Sequence, residues 1–214
     1  MWGKWIGCTV PGAERGRFDS AQRAWAVIGD QEGLVGQVGG WDPDTGHARV
    51  LGLWSGAGAH DRFMRERHDA VYAGSRQADS FTGIETAAGE TVLEMAGETS
   101  DLSRALETAG LLRVADCRLL PGREESFLEV QRRVWGPGMA AAGGMLAGVV
   151  TRLAPDRHLV TTLWSGPAAH ERYRTEHFPS LLARAGLAHD LRSTAGHLVP
   201  LEPAWRVLPT ADTP

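Results

Sequence analysis

His68 is followed directly by Asp69, and 109 residues further on His177 occupies a comparable place. An imidazole beside a carboxylate serves as a general base, as an anchor for a polar substrate group, or as an axial haem ligand, because the acid fixes one ring nitrogen and leaves the other free. His68, Asp69 and His177 are therefore the expected catalytic residues. His60 and His170 form a second pair, three residues before Phe63 and Tyr173. Their place early in a helix suits contact with the other half of the chain or with solvent. His60 to His68 spans eight residues and His170 to His177 seven, which along a helix separates the rings by about 10 Å, too far to share one ion, so no metal site is expected. Cys8 and Cys117 stand in no CxxC motif and near no paired histidines, and read as buried thiols.

Eight tryptophans against two tyrosines give the chain a supply of flat apolar walls carrying one donor each, suited to stacking a polycyclic aromatic molecule. Trp41, beside Gly39-Gly40 and Asp42, can line a cavity mouth. With Gln37, Trp54 and Tyr173 it makes up the expected ligand-contacting set, although Trp54 and Trp164, at matching strand ends, also read as core residues. The stretch Gly36-Gln37-Val38-Gly39-Gly40 lacks the strand-then-helix order of a dinucleotide fingerprint. Its glycines read instead as a β-bulge or a close backbone approach. Neither a GxxxxGK[ST] loop nor a GxSxG elbow occurs, so nucleotide binding and serine hydrolase chemistry have no support.

The elements that must position these residues are written twice. Leu53-Trp54-Ser55-Gly56 with Ala59-His60-Asp61-Arg62-Phe63 matches Leu163-Trp164-Ser165-Gly166 with Ala169-His170-Glu171-Arg172-Tyr173. Cys8, Phe18, Gln22 and Arg23 match Cys117, Phe127, Gln131 and Arg132. Each copy begins with a β-like run (4–10 and 113–119), a Pro-Gly loop and a helical spacing through Phe18, Gln22 and Trp25 or through Phe127, Val130 and Val134. Two strands then flank an Asp-Pro-Asp or Ala-Pro-Asp turn (34–41 with 48–54, and 145–153 with 158–164). Ser55 and Ser165 sit where N-caps belong for second helices reaching about Tyr72 and Ala185, and fourth strands are expected at 91–95 and 197–201.

The order β-α-β-β-α-β predicts an α+β fold of tandem ferredoxin-like repeats. A second copy can cover the apolar sheet face of the first, giving a single-chain pseudo-dimer built as an α/β barrel, with a further homodimer possible. The expected domains are 1–96 and 113–207, joined by a helical linker at 97–112 and followed by a flexible tail at 208–214. The halves differ at the second strand, where Gln37-Val38-Gly39-Gly40-Trp41 stands against Val149-Val150-Thr151-Arg152-Leu153. If one cavity alone works, it is expected in the first copy.

A net charge of -4 and a pI near 6.1, with no lysine or arginine run, argue against nucleic acid or an anionic membrane as partner. Without an apolar run of membrane-spanning length or a visible secretory signal, a cytoplasmic location is expected.

The pattern Leu163-Trp164-Ser165, Ala168-Ala169-His170, Tyr173, His177-Phe178 resembles the strand-to-helix segment of the antibiotic biosynthesis monooxygenase family, within the dimeric α/β barrel superfamily. Lys4-Trp5-Ile6-x-Cys8-Thr9-Val10, Gln22-x-x-Trp25, Gly36-Gln37-x-Gly39-Gly40-Trp41, Trp54 and Phe63-Met64-x-x-x-His68-Asp69 are similar to the bacterial YdbC-type family, whose function is unknown. The resemblance implies a ligand cavity between sheet and helices and a cofactor-independent monooxygenase acting on an aromatic or polyketide-like small molecule. It also implies two alternatives: a non-catalytic or stress-related barrel that binds a hydrophobic ligand, and a haem protein with His68 or His177 as axial ligand. The Asn, helical Trp and His of the haem-degrading members are not matched at their spacing.

Overall fold

The computed structural model describes residues 1–186 and 189–210, and it contains the β-α-β-β-α-β order in both halves. The chain divides into two compact units, Met1–Glu90 together with the chain from Leu201 onward, and Thr91–Pro200. These bounds differ from the expected 1–96, 97–112, 113–207 and 208–214.

In the first unit β1 (Trp2–Thr9) leads through a short 3-10 turn into α1 (Arg15–Arg23), and β2 (Leu34–Trp41) and β3 (Ala48–Trp54) form a hairpin. Asp42 closes that hairpin, its carboxylate accepting from the backbone N–H groups of Asp44 and Thr45 at 3.1 and 3.3 Å. Then follow α2 (Ala57–Phe63), one π-helical turn (Met64–His68), α3 (Asp69–Ser75) and β4 (Gly83–Ala96). The strand order is β2-β3-β1-β4, the ferredoxin-like order. Side chains at even positions of β1 and β3 face the helices: Trp2 pairs with Trp54, Lys4 with Gly52, Ile6 with Val50 and Cys8 with Ala48. The odd positions Trp5, Leu51 and Leu53 are also buried.

The second unit repeats the plan. α4 (Leu102–Thr108) precedes β5 (Leu111–Leu119), α5 (Glu124–Val130), a π turn (Gln131–Trp135) and α6 (Gly136–Ala141). β6 (Met145–Ala154), β7 (Arg157–Trp164), α7 (Pro167–Arg172), a π turn (Tyr173–His177), α8 (Phe178–Ala185) and β8 (Leu191–Pro200) complete it, with strand order β6-β7-β5-β8. One local device recurs in both copies. Gly33 and Gly144 hold φ of +82° and +83°, where a Cβ would lie 2.5 Å from the methyl of Ala59 or Ala169. Their carbonyls accept from Ser55 N–H and Ser165 N–H at 2.7 and 2.8 Å, which fixes the strand-to-helix corner.

Several expectations are corrected. The cap positions belong to Gly56 and Gly166, without a side-chain cap bond, and Ser55 and Ser165, one residue earlier, are tied through their backbone N–H groups to the Gly33 and Gly144 carbonyls. Asp101 caps α4, accepting from Ser103 and Arg104 N–H. β4 and β8 begin at Gly83 and Leu191, well before the expected starts, since 83–90 pairs with β1 through small and polar residues that carry no apolar alternation. His60 and His170, expected to face solvent or the other half, are buried instead. They are 8% and 6% exposed and meet Trp54 and Trp164 edge-on within their own units.

The expected flexible tail lies partly outside the described residues. Its described part is anchored by Thr210 N–H, which donates to Gly29 C=O at 2.8 Å, and just before the tail Gln37 and Val207 exchange two backbone bonds at 2.8 and 2.9 Å. Trp205, assigned from sequence to the second repeat, is fully buried in the first unit against Phe18 and Trp41, and its Nε1–H donates to Asp19 at 2.8 Å. The glycine reading holds: β2 shifts register between Leu34 and Gly36, and a Cβ on Gly39 would lie 2.6 Å from the Arg49 carbonyl and 3.2 Å from the Trp205 ring.

Candidate functional site

Between sheet and helices of the first unit lies a cavity of about 80 Å³, several times the roughly 10–15 Å³ needed for one water. Its floor is one row across three strands, Gln37, Gly52 and Lys4, each paired with the next. Gly52 in the middle is what keeps the floor open, because a Cβ there would have only the Trp54 Nε1 within 4 Å, at 3.7 Å. Phe18, Trp25, Phe63 and Tyr72 supply aromatic wall from the helical side, and His68 stands among them.

The His68 imidazole is 5.6 Å from the Trp25 ring, edge-on to Phe63 and stacked on Tyr72 at 5.8 Å. Its Nδ1 lies 2.9 Å from the Asp69 carboxylate. That contact assigns the proton to Nδ1 and leaves Nε2 as the acceptor nitrogen. Asp69 is itself almost fully solvent-exposed, so it orients the ring while contributing little electrostatic energy. The π turn at Met64–His68 re-aims the helix at this residue, and the same irregularity recurs at Tyr173–His177.

Polar groups converge on the same space. Trp25 Nε1–H donates to Gln77 Oε1 at 2.9 Å, and Gln77 Nε2 donates to Gln22 Oε1 at 2.7 Å, so a buried chain of bonds holds Gln22 at the wall. Gln37 is 7% exposed and its amide nitrogen has no hydrogen-bond partner. Lys4 lines the cavity with its ammonium 3.2 Å from the Met64 sulfur, and burial pushes its pKa below the ordinary lysine value. No carboxylate is among the described lining residues. Burial and then the nearby Lys4 charge hold the neighbouring His60 below the ordinary histidine value, which keeps it neutral. Burial pushes the Cys8 thiol up to about 12.

Of the sequence-predicted residues, His68, Gln37 and Trp54 line this cavity and Asp69 touches His68. Trp41 does not line it. Its ring packs on Phe18 and Trp205 and carries the Arg15 guanidinium 4.6 Å from its centre. Tyr173 is buried in the second unit against Trp164 and His170, its hydroxyl without a partner, and His177 lines neither unit's cavity. Lys4 and Gln22, quoted from sequence only as parts of motifs, and Gly52 and Gln77 were not among the predicted site residues. The available signal for Lys4 was its basic counterpart Arg113, in the same repeat register that aligns Cys8 with Cys117.

The His68 ring is packed against Tyr72, Phe63 and Trp25, the rings among which any molecule bound at this imidazole would sit. Among the described residues no group of three or more His, Cys, Asp or Glu is placed to hold a metal ion, and no helix is long and apolar enough to cross a membrane.

Residues 3–88 match a domain of unknown function, DUF4937, which is less than half of the chain. No curated protein matches. Solved structures match nearly end to end. A protein from Lactobacillus acidophilus provisionally named a monooxygenase is 12% identical with a TM-score of 0.73, covering 97% of this chain and 95% of its own. A similarly named protein from Fusobacterium nucleatum subsp. nucleatum is 10% identical with a TM-score of 0.74, covering 94% and 91%. An anthrone oxidase-like protein is 13% identical with a TM-score of 0.66, also covering 94% and 91%. At such identities the likeness shows fold alone, and that fold is the tandem ferredoxin-like α+β arrangement of the dimeric α/β barrels.

Proposed function

We propose that the first unit is a cofactor-independent monooxygenase for a small aromatic or polyketide-like molecule bearing an acidic C–H or O–H. The observation that carries the reading is the cavity's composition: an acid-oriented imidazole and an uncompensated ammonium share one aromatic-walled space with an unpartnered amide donor. Trp25, Phe63 and Tyr72 hold a planar ring system. His68 Nε2 accepts the acidic proton. The resulting enolate or phenolate oxygen is stabilised by Lys4 and by the Gln37 amide, which have no anionic competitor among the described residues that line the cavity. The delocalised anion then gives an electron to dioxygen, and recombination forms a C–O bond at the activated methylene. Loss of water from that hydroperoxide leaves a carbonyl. One oxygen atom enters the product, the other leaves as water, and the substrate supplies both electrons.

The test is turnover of a hydroxylated anthrone under ¹⁸O-labelled dioxygen. The reading requires one labelled oxygen in the product carbonyl. A substrate that quenches tryptophan fluorescence but yields no labelled product would make the unit a binding module instead.

A further inference from the structure

The second unit has its own cavity, of about 100 Å³, lined among others by Arg113, Gln131, Phe127, Trp135 and Phe178. It lies on the helix-facing side of β5, where Arg113, Ala115 and Cys117 occupy the positions that Lys4, Ile6 and Cys8 hold in the first unit. His177 does not reach it, so this cavity carries no base equivalent to His68. It therefore has walls and a charge but no proton acceptor of that kind.

The charge is the informative part. Arg113 is half-buried, and among the described residues it has neither a carboxylate nor a hydrogen-bond partner. A guanidinium cannot shed its proton to escape burial, so its compensation comes from solvent or from a bound anion. Three titratable groups among the described residues feel its field, and burial favours the neutral form of each. Burial raises the Cys117 thiol and the Tyr173 hydroxyl, and burial together with Arg113 holds His170 at about 4. A second, independent observation points the same way. Gln131 is only 4% exposed, lines the cavity, and has no side-chain hydrogen bond among the described residues, whereas its counterpart Gln22 is tied to Gln77.

We infer that the second unit's cavity is a non-catalytic binding site for a small aromatic carboxylate, with Arg113 and the Gln131 amide taking the carboxylate and Phe127, Trp135 and Phe178 taking the ring. A planar guanidinium matches the two oxygens of a carboxylate, which is the geometry an ammonium such as Lys4 does not offer. The site stands apart from the oxygenase reading, since it uses no residue of the first unit.

The test is calorimetric and fluorescence titration of the full chain with 1-naphthoate, with its methyl ester and with octanoate, Trp135 acting as the internal reporter. Naphthoate is expected to bind, and its ester and octanoate at least tenfold more weakly. Arg113→Met is expected to weaken naphthoate at least tenfold with little effect on the ester. Arg113→Lys is expected to retain part of the affinity, and Lys4→Met all of it. Ala115→Phe, which fills the cavity from its floor, removes binding without touching the charge and covers the case in which Arg113→Met folds poorly. Equal affinity for acid and ester, unchanged affinity in Arg113→Met, loss in Lys4→Met, or no binding at millimolar naphthoate would each overturn the inference. Dioxygen uptake in Arg113→Met reports separately on the first unit.

Discussion

At the residue scale, two buried histidines that resemble candidate ligands are held neutral, and this has a measurable cost. His170 has a folded pKa of about 4 against an ordinary value of 6.5, with burial as the first cause. Below pH 6.5 the unfolded chain takes up a proton that the folded ring refuses, so stability is complete above 6.5 and is lost as pH falls toward 4. The full loss is on the order of 3 kcal/mol. His170→Phe, which keeps a ring against Trp164, is expected to flatten the fall in urea midpoint between pH 6.5 and 4.5. An unchanged slope would contradict the assignment. Staying above 4.5 avoids the opposite class of group: burial pushes the Glu124 carboxyl up, but bonds from His158 and Arg152 outweigh this and hold it below 4.5. The thiols behave alike, Cys8 at about 12 and Cys117 also raised. Native protein at pH 8 is expected to react with a disulfide reagent far more slowly than denatured protein, and rapid native labelling would refute that.

At the element scale, register decides what the cavity is. The row Gln37, Gly52 and Lys4 is open only because the central strand contributes a glycine, while β7 places Thr162 at the matching position, bonded to Trp164 Nε1 at 2.9 Å. Gly52→Val is expected to fold normally and to abolish ligand binding in the first unit, measured by thermal melting and by fluorescence titration. Gly39→Ala, one register step away, is expected to cost about 1–3 kcal/mol, because its Cβ would meet backbone rather than open space. Sequence patterning made the strand–helix order legible because the apolar positions of 4–10, 48–54 and their copies repeat in register. It could not reveal 83–90 as strand, where Glu85, Ala87 and Glu90 give no alternation, nor the π turns, which no local residue pattern marks. The candidate site was half legible for the same reason. His68 and Gln37 stand out by type, whereas Lys4 and Gly52 acquire meaning only when β1, β2 and β3 are laid side by side.

At the scale of the whole molecule, chain connectivity and compact units do not coincide. The segment after β8 closes the first unit through Trp205, which packs on Phe18 and Trp41 and donates to Asp19. Trp205→Ala is expected to cost about 3–5 kcal/mol, read from the denaturant midpoint. A loss under 1 kcal/mol would show that the segment is an ornament rather than part of that core. This return of the chain was invisible in the sequence, since the Pro-rich end after Leu208 reads as a fraying tail and nothing local marks Val207 as the partner of Gln37. The duplication, by contrast, was legible throughout, and it is what distinguishes the two cavities: one has an imidazole, the other a guanidinium without one. The most direct measurement of the central claim is the rate of dioxygen uptake with a saturating hydroxylated anthrone, in the intact protein and in His68→Ala. The account predicts uptake that falls by about 10²-fold or more in the variant while substrate binding persists. Equal rates in the two proteins, or no uptake in either, would contradict it.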